Sequence, residues 1–112
     1  MHRFAKNLTP PYFAVIFANQ RTAVDDTGYE TTANRMAEMA ATMPGYLGLE
    51  STRDEAGFGI TVSYWESEAA IRHWKAQAEH EHAQQQGKST WYEHYELRIA
   101  KIERAYAGPQ GR

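Results

Sequence analysis

The sequence predicts a single α+β domain of β-α-β-β-α-β order, an antiparallel sheet with two helices packed on one face. Three observations predict it. Strand-like segments recur at 12–18, 46–52 and 58–65; the first and third are rich in β-branched and aromatic residues, and in the second Leu47 and Leu49 share a face. Two segments with apolar residues at helical spacing follow the first and third of these. A short polar connection, Asp54-Glu55-Ala56-Gly57, joins the second and third as a hairpin.

Residues 1–11 form a loose lead-in that ends at Pro10-Pro11. Strand one, Tyr12–Ala18, is apolar on both faces: Phe13, Val15 and Phe17 on one, Tyr12, Ala14, Ile16 and Ala18 on the other. Asn19–Thr27 is polar and turn-like. A helix is predicted over Tyr29–Thr42, where Met36, Met39 and Ala40 recur at helical spacing, and Pro44-Gly45 stops it. Strand two is Tyr46–Thr52 and strand three Phe58–Trp65, whose Phe58, Ile60, Val62 and Tyr64 oppose Thr61, Ser63 and Trp65. Ser67 is a natural N-cap, and Glu68 places a negative charge in the first turn of a helix reaching Gln84–Gln86. The last segment, Tyr95–Tyr106, fits either period: Tyr95, Leu97 and Ile99 alternate, while Trp91, Tyr95, Ile99 and Ile102 fit a helix. It is taken as the closing strand. Residues 107–112 form a tail containing Gly and Pro, so the domain spans 12–106.

If both helices lie on one face, the other face is open. A strand apolar on both sides would expose hydrophobic surface there, which soluble monomers avoid. Self-association as a homodimer is the simplest remedy.

Composition narrows the function classes. At 112 residues, 42% hydrophobic, 23% charged and net charge −2, the chain is an ordinary globular domain with no field for nucleic acid or an acidic membrane surface. The absence of cysteine excludes disulfides, thiolate metal sites and a cysteine nucleophile. The apolar run at 12–18 is too short to span a membrane, and the chain reads as cytoplasmic. No nucleotide-binding glycine loop, nucleophile elbow or paired acid/base motif is present.

The run from Gly59 to Trp74, with a strand ending in Trp65, a capped helix start and Trp74 along the helix, resembles the antibiotic biosynthesis monooxygenase superfamily. Pro44-Gly45-Tyr46-Leu47-Gly48 is similar to the turn that opens the second strand in that group. The resemblance spans Tyr12–Tyr106 and implies a ferredoxin-like domain forming a dimeric α+β barrel, with a pocket between sheet and helices. It also implies either cofactor-free oxidation of an aromatic quinone precursor by dioxygen, or haem binding and degradation. Haem-degrading relatives carry an Asn on strand one, a Trp on the second helix and a His ten residues later; Asn19 and Trp74 match the first two, and Gln84 stands at the third. Quinone-forming relatives carry an Asn four residues before the strand-end Trp, where this chain has Thr61.

The candidate residues follow from the residues and the resemblance together. At about 100° per residue, His82 falls close to Ile71 and Ala78 on the apolar helix face, with His73 and His80 opposite. His82 is thus the candidate base, and otherwise a buried or end-of-helix histidine. His80 and His82 are two apart and cannot share a metal ion on a helix, so no metal site is expected. Trp65, Trp74, His80, Trp91 and Tyr95 are candidate substrate-binding residues, the aromatic ones as walls for a flat ligand or else as plain core residues. Arg98 or Asn19 would steady an oxyanion; alternatively, Arg98 pairs with Glu96 or Glu103. The leading expectation is a cofactor-independent monooxygenase acting on a small aromatic. The alternatives are a haem protein with His82 or His80 as axial ligand, and a non-catalytic binding dimer.

Overall fold

The computed structural model describes residues 3–6, 8–84 and 91–109, without the side chains of 80–84. Six elements follow the predicted order: β1 Tyr12–Arg21, α1 Asp26–Ala41, β2 Tyr46–Arg53, β3 Phe58–Trp65, α2 Glu68–Gln84 and β4 Tyr92–Ile102. The strands form one antiparallel sheet ordered β2-β3-β1-β4. This is the ferredoxin-like α+β arrangement, with the strand that is apolar on both faces in a central position.

Side chains alternate across a strand, so Phe13, Val15, Phe17, Asn19 and Arg21 share one face of β1. The register puts Trp65, Ser63, Thr61 and Gly59 beside the first four of these on β3, and Lys101, Ile99, Leu97 and Tyr95 beside them on β4. Both helices cover this face: Ala40 of α1 and Ile71 and Trp74 of α2 pack with Trp65, Phe13, Val15 and Tyr46. Trp65 is fully buried, meets Tyr46 edge-on at 5.5 Å and stacks on Trp74 at 6.0 Å. Its indole N–H donates to Ser63 Oγ at 2.9 Å, so the ring is buried with its one polar atom satisfied. Such aromatic pairs add about 0.5–1.5 kcal/mol beyond area burial.

Local chemistry sets the joints. The Asp25 carboxylate accepts from Gly28 N at 3.1 Å and caps α1, and Ser67 Oγ accepts from Ala70 N at 3.0 Å and caps α2 as predicted. Gly45 has φ +87°, and a Cβ there would stand 2.6 Å from Ala70 Cβ. Only glycine lets α2 approach this turn, whose carbonyl accepts from Glu66 N at 2.8 Å.

The limits of β1 and β4 differ most from the sequence expectation. β1 continues through Asn19, Gln20 and Arg21, which read as a turn because they are polar. They stay in the ladder because Gly59 and Phe58 of β3 and Tyr95 and His94 of β4 pair with Asn19 and Gln20, and Tyr92 pairs with Arg21. β4 accordingly starts at Tyr92 and ends at Ile102, with a register shift between Gln20 and Arg21. Its ladder against β1 resolves the ambiguous period as strand.

On the opposite sheet face, residues before β1 cover one end. Ala5 N donates to Glu50 Oε2 at 3.0 Å, and Tyr64 Oη donates to Glu50 Oε1 at 2.6 Å. Burial, then this hydrogen bond, push the Tyr64 phenol well above its usual range. The other end stays bare: Phe58 is 46% and Ile60 36% exposed, beside half-buried Ile16, Ala18 and Val62. No helix among the described residues is long and apolar enough to cross a membrane.

Candidate functional site

Asn19 is the polar residue that the fold treats most unusually. It is 2% exposed, on the helix-covered face, near the end of a central strand. Its Nδ2 reaches Phe17 O only at 3.5 Å, and its Oδ1 has no hydrogen-bond partner among the described residues. Leaving a buried acceptor unsatisfied costs about 1–3 kcal/mol. A sequence that keeps such a group at a core position keeps an acceptor ready for something else.

The surroundings of Asn19 are aromatic. Phe17 meets Tyr95 and Tyr92 edge-on at 5.5 Å each, and Tyr29 of α1 meets Trp91 at 5.6 Å and Tyr92 at 5.7 Å. Burial first, then a hydrogen bond with Tyr29, hold the Tyr92 phenol far above its usual range. Arg21, the last residue of β1 and next in the same row, lies 3.9 Å over the Tyr29 ring. It donates to Trp91 O and to Asp26 Oδ1, each at 2.7 Å, so its charge is compensated. The Trp91 indole N–H donates to Asp25 Oδ2 at 3.4 Å. This cluster ties the start of α1 to the start of β4 and fixes one rim of the face around Asn19.

The other rim is open among the described residues. Along β4, Tyr95, Leu97 and Ile99 point to the helix side yet remain 54%, 50% and 54% exposed. A buried amide with a free oxygen beside a strip of exposed apolar side chains is suited to a flat, mostly apolar ligand with a hydrogen-bond donor.

The sequence candidates are not all brought together. Asn19, Trp65, Trp74, Tyr95 and the buried Trp91 belong to the helix-covered layer, although Trp65, Trp74 and Trp91 are packed with one another or with Tyr29. Arg98 stands across from Ile16, hence on the opposite sheet face, exposed and 3.9 Å from Glu96. It therefore cannot share a ligand with Asn19 in this chain, and the surface pairing with Glu96 is what the structure shows. His94, on that same opposite face, contacts Glu96 at 2.6 Å and holds its carboxyl below the usual range. His73 is exposed. The side chains of His80, His82 and Gln84 lie outside the described residues. Among the described residues, no histidine stands beside Asn19, so none offers an axial ligand to a haem there, and no cluster of His, Cys, Asp and Glu is placed to hold a metal ion. Two shallow depressions, about 320 and 280 Å³, lie elsewhere, against Pro11 and Leu47 and against Pro44 and His73.

Sequence reasoning missed Arg21, Tyr29, Tyr92 and Arg53. A signal existed for the first: Phe13, Val15, Phe17, Asn19 and Arg21 continue one period-two row.

The family profile described as antibiotic biosynthesis monooxygenase matches residues 13–86, from the start of β1 to the end of α2. The chain belongs to the antibiotic biosynthesis monooxygenase family. It is 50% identical over 104 residues to the uncharacterised protein YqjZ of Bacillus subtilis, covering 93% of this chain and 90% of that one. It is 28% identical over 94 residues to the jasmonate monooxygenase ABM of Pyricularia oryzae, covering 80% of this chain but only 43% of the fungal protein. Among solved structures, SnoaB, a cofactor-independent oxygenase from Streptomyces nogalater, aligns with TM-score 0.69 and 12% identity over 86% of this chain and 97% of its own. A MhuD mutant with two manganese protoporphyrin IX groups per active site aligns with TM-score 0.66 and 19% identity over 86% of this chain and 99% of its own. These distant likenesses show a shared fold. At the position where the sequence resemblance expects an Asn, the Thr61 hydroxyl is paired with Ser51 Oγ at 2.7 Å.

Proposed function

We propose that the protein is a cofactor-independent monooxygenase that oxidises a small, electron-rich aromatic against the helix-covered face of the sheet. The observation that carries this reading is the buried, unpartnered Oδ1 of Asn19 among aromatic side chains. Family membership, and relatives described as a jasmonate monooxygenase and a cofactor-independent oxygenase, support the reaction class.

The chemistry asks little of a protein. A substrate methylene flanked by aromatic rings loses a proton, the carbanion gives an electron to dioxygen, and the resulting peroxide sheds water to leave a ketone. The balance is one methylene substrate and one dioxygen giving one quinone and one water. The protein must accept the proton, hold the ring flat and steady the substrate oxygen. Asn19 is assigned to orient the substrate hydroxyl, and Tyr95, Leu97 and Phe17 to hold the ring. The proton acceptor is assigned to His82: α2 is continuous from Glu68 to Gln84, so His82 follows the helical register of the buried Ile71. Arg98 has no role in this scheme.

An oxygen electrode tests the reading. The purified protein, with a panel of anthrones and dihydroxynaphthalenes, is expected to consume dioxygen above the uncatalysed rate and in equal amount to the quinone formed. No consumption with any member of the panel would end the proposal.

A further inference from the structure

The Arg53 guanidinium lies flat on Gly59: a Cβ there would meet Arg53 Cζ, Nη1 and Nη2 at 2.8, 2.9 and 3.0 Å. Gly59 is buried and pairs directly with Asn19 across β3 and β1, and Arg53 pairs with Gly59 across β2 and β3. Arg53, Gly59, Asn19 and Tyr95 thus form one row across the sheet, all on the helix side, and the missing side chain of Gly59 lets the guanidinium lean toward Asn19.

The guanidinium is held rather than neutralised. Nη1 donates to Gly57 O at 2.6 Å and Nη2 to Tyr29 Oη at 2.9 Å, both uncharged acceptors. No carboxylate among the described residues lies within ion-pair distance of it, whereas Arg21 on the same face has Asp26 at 2.7 Å. A guanidinium carries five N–H donors, so three remain to be met by solvent or ligand. A positioned cation with spare donors therefore stands one strand from a buried acceptor with no donor.

We infer that Arg53 is the anion anchor of this site and that the ligands it prefers are aromatic acids carrying a hydroxyl next to the carboxylate. The inference rests on the proposed aromatic site at Asn19 and names its substrate class. Arg53 and Asn19 stand on β2 and β1 with β3 between them, but the guanidinium lies over Gly59 of β3, and β3 neighbours β1 at about 4.8 Å. A hydroxyl and a carboxylate on neighbouring ring carbons span that gap, with the hydroxyl donating to Asn19 Oδ1 and the carboxylate taking the fork of Arg53.

Tryptophan fluorescence titrations with 1-hydroxy-2-naphthoate and with 1-naphthol, which lacks the carboxylate, test it. The wild-type protein is expected to bind the acid about tenfold more tightly, as one charge-assisted contact allows. Arg53→Gln is expected to bind 1-naphthol as the wild type does and to lose the preference for the acid. Arg53 is exposed, so this exchange removes its hydrogen bonds to Gly57 O and Tyr29 Oη but alters no buried side chain. A readout independent of the variant is salt: in the wild type, raising it from about 20 mM to about 0.5 M is expected to erode the preference severalfold and leave 1-naphthol binding unchanged. An acid preference that survives Arg53→Gln, or is indifferent to salt, overturns the inference, as does equal binding of both compounds by the wild type. Binding of neither compound would instead overturn the aromatic site itself.

Discussion

Asn19→Leu is expected to make the protein more stable and to remove its activity. The two side chains share their branching and number of heavy atoms, and leucine removes an acceptor that the described structure leaves unpaired at 2% exposure. Deleting such a group from a core is neutral to stabilising, because its desolvation is no longer uncompensated. A gain of about 1 kcal/mol corresponds to a rise in Tm of about 4–8 °C in a domain of this size. Oxygen uptake is expected to fall about a hundredfold or more, the usual consequence of losing one positioned hydrogen-bonding group at a reacting oxygen. Thermal unfolding and the oxygen electrode read the two effects separately. A variant less stable than the wild type would mark Asn19 as a structural residue, and one with undiminished turnover would remove it from the site.

Ile60→Glu is expected to split a homodimer. Ile60 and Phe58 are exposed on the bare end of the sheet, next to Ile16, Ala18 and Val62. That patch is contiguous and apolar, and the residues before β1 cover only the end near Glu50. A second copy is the partner that symmetry supplies most simply. Light scattering on the wild type is expected to give twice the 12.8 kDa of the chain, and on Ile60→Glu the single-chain mass. An unpaired carboxylate buried at the contact costs about 4 kcal/mol, roughly a thousandfold in Kd. A wild type that runs as a single chain at micromolar concentration would contradict the homodimer.

The fold was legible because its signals are local. Period-two rows, the Ser67 cap and the Pro44-Gly45 stop each act within a few residues, and they order the six elements correctly. The limits of β1 and β4 were less legible. Asn19, Gln20 and Arg21 look like a turn by composition, and only pairing with Gly59, Phe58 and β4 keeps them extended. The site depends on those three residues, so it was only half visible. Asn19 is visible through its resemblance to family positions, while Arg21 reads as loop by composition. Arg53 lies one residue beyond the predicted end of strand two, and its relation to Asn19 arises from register across three strands and from the absence of a side chain at Gly59. Arg98 shows the converse. Its neighbours Leu97 and Ile99 alternate with it, so the sequence already held it out of phase with the row that faces the helices.

The proposed function places a flat aromatic on the helix side of the sheet at Asn19. The most direct test is a ¹⁵N-correlated NMR titration of the wild-type protein with 1-hydroxy-2-naphthoate. This placement predicts that the side-chain amide of Asn19 and the backbone amides of Gly59, Tyr95 and Leu97 shift together along one saturating curve. Shifts confined to the opposite face at Arg98 and Glu96, or to the depression at Pro11 and Leu47, would contradict it.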